Sequence, residues 1–242
     1  MKKNVVILTG AGISAESGIS TFRDSDGLWE HYRVEDVCTR EAYERNPLLV
    51  LDFYNQRRRE LQRAKPNEGH KQLVRLEDYY NVNIITQNID NLHEQAGSKH
   101  ILHLHGEMTK ARSDRNHYTS TEDEKGCIDI GYRDIKLGEK ASDGGQLRPH
   151  IVWFGEAVPN IAPASELCMK ADYFAVIGTS MVVYPAAGLI MYVSSSTPCY
   201  LVDPKAVEIS RPITIFREKA GTGVKKVVDE LIALAYKSNR LP

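Results

Sequence analysis

The stretch that most constrains this chain is its opening, VVILTGAGISAESGISTFR, residues 5–23. Val5, Val6, Ile7 and Leu8 have the length and β-branched content of a strand buried on both faces, and the run stops at Thr9 and Gly10. Gly10, Gly12 and Ala15 then fit the G-x-G-x-x-G/A spacing, in which glycines allow a tight turn and let backbone N–H groups approach a pyrophosphate at a helix N-terminus. The pattern reads as a nucleotide or dinucleotide cradle, although the same glycines suit an ordinary strand-to-helix turn. A dinucleotide-binding dehydrogenase would continue with a strand ending in Asp or Glu about twenty residues on. Here that region reads TFRDSDGLWEHYRVED, polar and aromatic, which argues against simple hydride transfer.

The chain has 242 residues, enough for one large domain or a domain with a smaller lobe. A formal charge of −1 lacks the basic excess of an electrostatic nucleic-acid binder, so no nucleic-acid partner is expected. The first strand starts within about four residues of Met1 and no apolar run approaches about eighteen residues, so a soluble cytoplasmic protein without membrane contact is expected. Cys38, Cys127, Cys168 and Cys199 are scattered without a C-x-x-C pair, which suits reduced, buried or idle thiols.

Further apolar runs predict strands at 82–86, 101–104, 173–177, 200–202 and 213–216. Helical patterning covers 34–64, a segment from the candidate N-cap Asn67 towards Leu76, 162–169, a stretch after Pro185, and 224–236. Strands alternating with helices imply an α/β fold: a Rossmann-like parallel sheet with helices on both faces. The predicted sheet domain takes residues 1–33, 79–106 and 148–242, with a smaller lobe inserted as 34–78 and 107–147. Residues 107–147 are rich in charge, Ser, Asp and Gly, and are expected to be poorly packed or mobile.

Two clusters carry chemistry. Gln87, Asn88 and Asp90 follow a buried strand, at the carboxyl edge where open α/β sheets bind ligands; the alternative is a capped loop. His105 has an imidazole whose ordinary pKa, near 6.5, suits acid–base work, although a lone histidine at a strand end is also a common structural feature. His103 and His105 share one strand face and form an H-x-H pair, but no carboxylate or third histidine sits at a recognisable metal spacing, so no metal is expected.

Taken in order, GAGISAESGISTFR, TQNIDNLH, His105-Gly106, VWFGE, GTS and KAGTG resemble the sirtuins, NAD-dependent protein deacylases. The resemblance covers nearly the whole chain. It implies that Gly10, Ala11, Gly12, Ala15, Thr21, Phe22 and Arg23, with Gly178, Thr179 and Ser180, line an NAD pocket. It further implies that Gln87, Asn88, Ile89 and Asp90 hold nicotinamide and its ribose, and that Asp203 and Ala220 lie on the adenosine side. Sirtuins usually carry Asn at the position of Asp203. In the implied reaction the acyl oxygen of a modified lysine displaces nicotinamide, and the histidine, here His105, activates a ribose hydroxyl with Asn88 and Asp90 beside it. The products would be free lysine, nicotinamide and O-acyl-ADP-ribose, from an acyl-lysine protein or peptide.

Tyr54 and Arg57 stand at i and i+3, on one helix face, and together suit a carboxylate; alternatively Arg57, Arg58 and Arg59 are a solvated run with Tyr54 covering the core. The string FYNQRR resembles the Y-x-x-R motif of sirtuins that remove succinyl, malonyl and glutaryl groups, and Ala15 matches their small pocket residue. Val152, Trp153, Phe154 and Gly155 offer extended backbone to a substrate strand, unless the two aromatic residues serve the core. Sirtuins normally carry two C-x-x-C pairs that bind structural zinc before this loop, whereas residues 107–147 contain only Cys127, so no zinc is expected. Rival readings are an ADP-ribosyltransferase, an NAD glycohydrolase, or a non-catalytic NAD or ADP-ribose module.

Overall fold

The computed structural model describes residues 2–20, 28–29, 32–205 and 209–238. Thr21, Phe22 and Arg23 lie outside the described residues. The chain runs from β1 (Asn4–Thr9) through the short pair β2 (Leu28–Trp29) and β3 (Tyr32–Arg33) into α1 (Val34–Val37), α2 (Arg40–Arg45), α3 (Pro47–Leu61) and α4 (Glu68–Leu76). It continues with β4 (Asn81–Thr86), α5 (Leu92–Ala96), β5 (Ile101–His103), β6 (Gly106–Ser113), β7 (Ile128–Asp129) and β8 (Leu147–Ile151). The last elements are α6 (Ile161–Met169), β9 (Tyr173–Ile177), β10 (Cys199–Val202), β11 (Thr214–Phe216) and α7 (Ala220–Ser238). No helix among the described residues is long and apolar enough to cross a membrane.

Six strands form one parallel sheet in the order β11-β10-β9-β1-β4-β5. Alternation along each strand divides its side chains between two cores. Val5 and Ile7 of β1, with Ile84 and Ala175, pack on α4 and α7 through Leu73, Leu76, Val224, Val228 and Leu231. Val6 and Leu8, with Ile85, Phe174 and Val176, pack on Ala164 and Cys168 of α6 and on Leu189. This is the α/β sheet with helices on both faces that the apolar runs predict.

Four expectations need correction. The glycine-rich turn leads into two 3-10 turns, Ala11–Ile13 and Ala15–Ser17, and not directly into an α-helix; Gly18, at φ +82°, ends the second. The helix expected over 34–64 is three helices, because Thr39 and Asn46 cap new starts, accepting from the N–H groups of Ala42 and Leu49. The helix expected after Pro185 is a 3-10 helix, Ala186–Tyr192. Residues 107–147 are packed: β6, β7 and β8 form an antiparallel sheet, and Met108, Ala111 and Leu147 from it, with Ile130 and Ile135 from the segment between β7 and β8, share a core with Val50, Leu51, Phe53 and Leu61 of α3.

The same packing redraws the lobe. Leu73 and Leu76 put α4 in the sheet domain's core, although the predicted lobe ran to residue 78. Conversely, β8 pairs with β6, so 147–151 belongs with the lobe's sheet rather than with the 148–242 segment.

Candidate active site

The carboxyl ends of β1, β4 and β9 meet at one edge, and glycine allows them to. Gly10 N–H donates to Ile177 O at 3.0 Å and Gly12 N–H to Gly178 O at 2.8 Å. A Cβ at Gly12 would lie 2.7 Å from Gly178 Cα, and one at Gly178, where φ is +61°, would lie 2.4 Å from Ile13 N. These glycines therefore bring two loops together, in addition to shaping the turn. Ala11 and Gly12 are half-buried and Ala15 is exposed.

Asn88 and Asp90 are buried against this crossing. The Asn88 amide donates to Gly10 O at 3.2 Å and to Ser14 Oγ at 3.1 Å, and Ser14 Oγ donates to Asp90 Oδ2 at 2.9 Å. Leu92 N–H donates to the other carboxylate oxygen of Asp90 at 3.1 Å. Burial raises the Asp90 pKa above the ordinary carboxylate value, with the Leu92 and Ser14 bonds opposing it. Gln87 Nε2 donates to Thr179 Oγ1 at 3.0 Å, Ser180 is half-buried beside it, and Ile89 O accepts from Met108 N–H at 2.8 Å. Ser14 is the residue that motif reading passed over; its signal was the S of GAGIS, one turn away from the glycines.

His105, half-buried just beyond β5, has Nδ1 3.0 Å from Gln87 O. A carbonyl only accepts, so Nδ1 carries the proton and Nε2 keeps its lone pair. Burial lowers the His105 pKa, and the bond to Gln87 opposes that shift. His103 repeats the arrangement one loop carbonyl along, with Nδ1 3.0 Å from Asn88 O. Its Nε2 lies 2.8 Å from Glu94 Oε1, and Glu107 is close by. Here carboxylates do gather at the H-x-H pair, around His103, although no sequence spacing announced them. Each already has a cation of the chain, His103 for Glu94 and Lys110 for Glu107.

The helix α3 is less solvated than its three arginines suggest. Arg58 is fully buried, with Nε donating to Met108 O at 2.8 Å, while Arg59 faces outward to Asp134 at 2.6 Å. Arg57 is buried, bonds Glu60 at 2.7 Å, and lines a cavity of about 40 Å3 with Ile19, Ser20, Ile89, Asp90 and Met108. Tyr54 does not line that cavity. Its hydroxyl sits in the interior, accepting from Trp153 Nε1 at 3.1 Å and donating to Cys38 Sγ at 3.5 Å.

Trp153 is thus a core residue, whereas Phe154 and Gly155 are exposed and Val152 is half-buried. The N–H groups of Val152 and Phe154 donate to His105 O and Cys38 O, both at 2.9 Å, and that of Trp153 donates to Glu156 Oε2 at 2.9 Å. The carbonyl of Trp153 in turn accepts from Glu156 N–H at 3.0 Å, and Phe154 bridges to Thr39 in parallel, so this loop is already tied on both sides. Beneath it Arg148 and Arg112, both fully buried, hold Glu156: Arg148 NH1 lies 2.6 Å from Oε1 and Arg112 NH2 3.4 Å from Oε2. The Arg148 guanidinium lies 3.3 Å from the Trp153 ring centroid. Arg112 also donates to His150 Nδ1 at 3.1 Å, and burial, reinforced by Arg112, pushes the His150 pKa down to about 3. Cys127 Sγ lies 3.2 Å from the same nitrogen.

On the β10 side, Asp203 is buried and accepts from Lys205 N–H at 2.8 Å. Ala220 packs in the core at the start of α7, and Gly221 N–H donates to Glu16 Oε2 at 2.7 Å. Along this edge a buried carboxamide, two buried carboxylates, a serine hydroxyl and a side-chain-free turn form a set suited to ribose hydroxyls, a carboxamide and a diphosphate.

Comparison with known proteins supplies the remaining evidence. The family model described as "Sir2 family" matches residues 10–185. An NAD-dependent protein deacylase of Bacteroides thetaiotaomicron is 54% identical over 232 residues, covering 95% of this chain and 98% of its own. One of Helicobacter pylori is 48% identical over 235 residues, covering 96% of this chain and 99% of its own. Among solved structures, a Sir2 homologue complexed with ADP ribose superposes with a TM-score of 0.82 at 34% identity, covering 100% of this chain and 95% of that one. A Sir2 homologue–NAD complex gives a TM-score of 0.82 at 34% identity, covering 97% and 91%.

Proposed function

Because the chain belongs to the Sir2 family, we propose that it is an NAD-dependent protein deacylase acting on acyl-lysine in proteins or peptides. NAD, when bound, supplies the ADP-ribosyl group that accepts the acyl oxygen as nicotinamide departs. The observation that carries the reading is the His105 ring: its Nδ1–H is held by Gln87 O, so its basic Nε2 is available to take a proton from a ribose hydroxyl. Asn88 and Asp90, locked together through Ser14, bind and orient nicotinamide and its ribose. Gly10, Ala11 and Gly12 with Gly178, Thr179 and Ser180 line the diphosphate side, and Asp203 with Ala220 the adenosine side.

The acyl group of this proposal is acidic, succinyl or malonyl. Its support is Arg57, a guanidinium on the cavity that Asp90 and Ile89 also line, able to meet a carboxylate with a charge-assisted bond. Tyr54 supports that site from the interior, through Trp153 and the loop carrying Val152, Phe154 and Gly155. We further propose that the lobe needs no zinc, since Arg112, Arg148 and Glu156 already tie β6 and β8 to this loop and Cys127, the cysteine of residues 107–147, faces His150.

The test is mass spectrometry of the protein with NAD and peptides bearing succinyl-lysine, acetyl-lysine or free lysine. O-succinyl-ADP-ribose formed with free lysine peptide and nicotinamide supports the proposal. Nicotinamide release that ignores the peptide would replace it with a glycohydrolase or transferase.

A further inference from the structure

The bond from His103 to Asn88 has a requirement that the bond from His105 to Gln87 lacks. The buried His103 ring stands between two groups that only accept, Asn88 O at Nδ1 and the Glu94 carboxylate at Nε2. A neutral ring has one N–H for these two acceptors, so both bonds form only when the ring is an imidazolium. The groups around it are Asp90 in the loop, His93 and Glu94 on α5, Glu107 and Lys110 on β6, and His150 on β8. Burial disfavours the charge, but Glu94, then Glu107 and the Asn88 carbonyl, outweigh it and raise the His103 pKa above 6.5. Glu94 is correspondingly held below its ordinary value, its own burial being outweighed by His103, so it is the carboxylate partner.

We propose that His103, paired to Glu94, is a positioning residue that holds the Asn88 peptide and so fixes the Asn88 amide at the catalytic edge. The inference rests on the deacylase reading for its role in turnover. The two histidines of the H-x-H pair divide the work: each fixes one loop carbonyl, but His105 leaves its far nitrogen for chemistry while His103 commits its own to Glu94. A histidine with a raised pKa keeps its charge below about 6.5 and loses it as pH rises through the raised value. The hold on Asn88 therefore weakens on the alkaline side.

Three variants test this: His103→Leu removes the donor, His103→Asn keeps a donor near the Nδ1 position without a titrating group, and Glu94→Gln lets an amide donate to a neutral His103. Turnover constants and KM for NAD and peptide are measured across the alkaline range, with NAD affinity by calorimetry and folding by thermal melting. His103→Leu should lower kcat/KM for NAD on the order of tenfold with peptide KM unmoved. His103→Asn should restore the rate, and both it and Glu94→Gln should flatten the alkaline fall. Equal behaviour of His103→Leu and the parent protein, or the same alkaline fall in all three variants, would overturn the proposal. If the parent protein turns over no acyl peptide, the deacylase reading fails separately, and NAD affinity decides: weakened in Leu and kept in Asn supports positioning, unchanged in Leu overturns it.

Discussion

The Nδ1 atom of His105 and the carbonyl oxygen of Gln87 are 3.0 Å apart, and this bond determines which ring nitrogen is the base. It also ties the residue just beyond β5 to the loop that follows β4 and carries Asn88.

His105→Ala should therefore lower deacylation by about 10²–10⁴-fold while leaving NAD affinity largely intact, as read by single-turnover kinetics and calorimetry. Burial lowers the pKa of this histidine below 6.5. The base is neutral above the lowered value and is lost as pH falls through it, so the acid limb of the rate profile should lie below that of an ordinary imidazole. An acid limb above 6.5 would contradict the assignment.

Gly178→Ala should cost roughly 1–3 kcal/mol in chemical denaturation and weaken NAD binding, because the new Cβ meets the backbone of Gly12 and Ile13 at a positive φ. Gly131 is the control: its φ is +54° but nothing lies within 4 Å of an added methyl, so Gly131→Ala should show the smaller loss, about 1 kcal/mol.

Glu156→Ala leaves two buried guanidinium groups without their carboxylate and should destabilise the protein by about 3–5 kcal/mol. The Glu156 pKa is lowered because Arg148 and Arg112 overcome its burial. Its contribution is full above about 4.5 and disappears as pH falls through the lowered value, so melting temperatures of the parent and the variant should converge in acid. Elemental analysis and melting with a chelator belong in the same experiment. Stoichiometric zinc with a large chelator-induced shift would contradict the zinc-independent lobe.

Arg57→Met should reduce kcat/KM on succinyl peptide roughly 10–100-fold, the range of one charge-assisted bond, with a much smaller change on acetyl peptide. Tyr54→Phe should behave differently, losing about 1 kcal/mol of stability with the Trp153 bond while affecting both peptides alike. Equal loss on both peptides for Arg57→Met would remove the acidic-acyl proposal.

The parallel sheet was legible because Val5–Leu8 and Tyr173–Ile177 are uninterrupted apolar runs and the other strands are short runs rich in Val, Ile and Leu, which suit a sheet buried on both faces. Residues 107–147 mislead for a physical reason. The large buried side chains there include Arg112 and Tyr118, and with Arg148 they look solvated in a sequence; their burial depends on Glu156 and His150, which arrive only in the fold. Arg58 misleads in the same way, since its buried partners are Asn55 and the carbonyl of Met108, fifty residues on. Within the site, Asn88, Asp90 and His105 were visible as polar residues at strand ends. Ser14 and Glu94 were not, because their importance lies in which neighbour they bond.

The strand order has a consequence during biosynthesis. β1 ends at Thr9, yet one of its two neighbours, β9, begins at Tyr173. At ribosomal speeds of about 5–20 residues per second, the intervening segment takes roughly ten to thirty seconds to appear. Through that interval β1 can pair only with β4, one hydrogen-bonding edge of an apolar strand stays bare, and Gly10 and Gly12 lack the loop they will cross. The nascent chain thus carries an unpaired apolar edge through that interval, and its ability to hold nucleotide should appear only after Gly178, and then Asp203 and Ala220, have emerged.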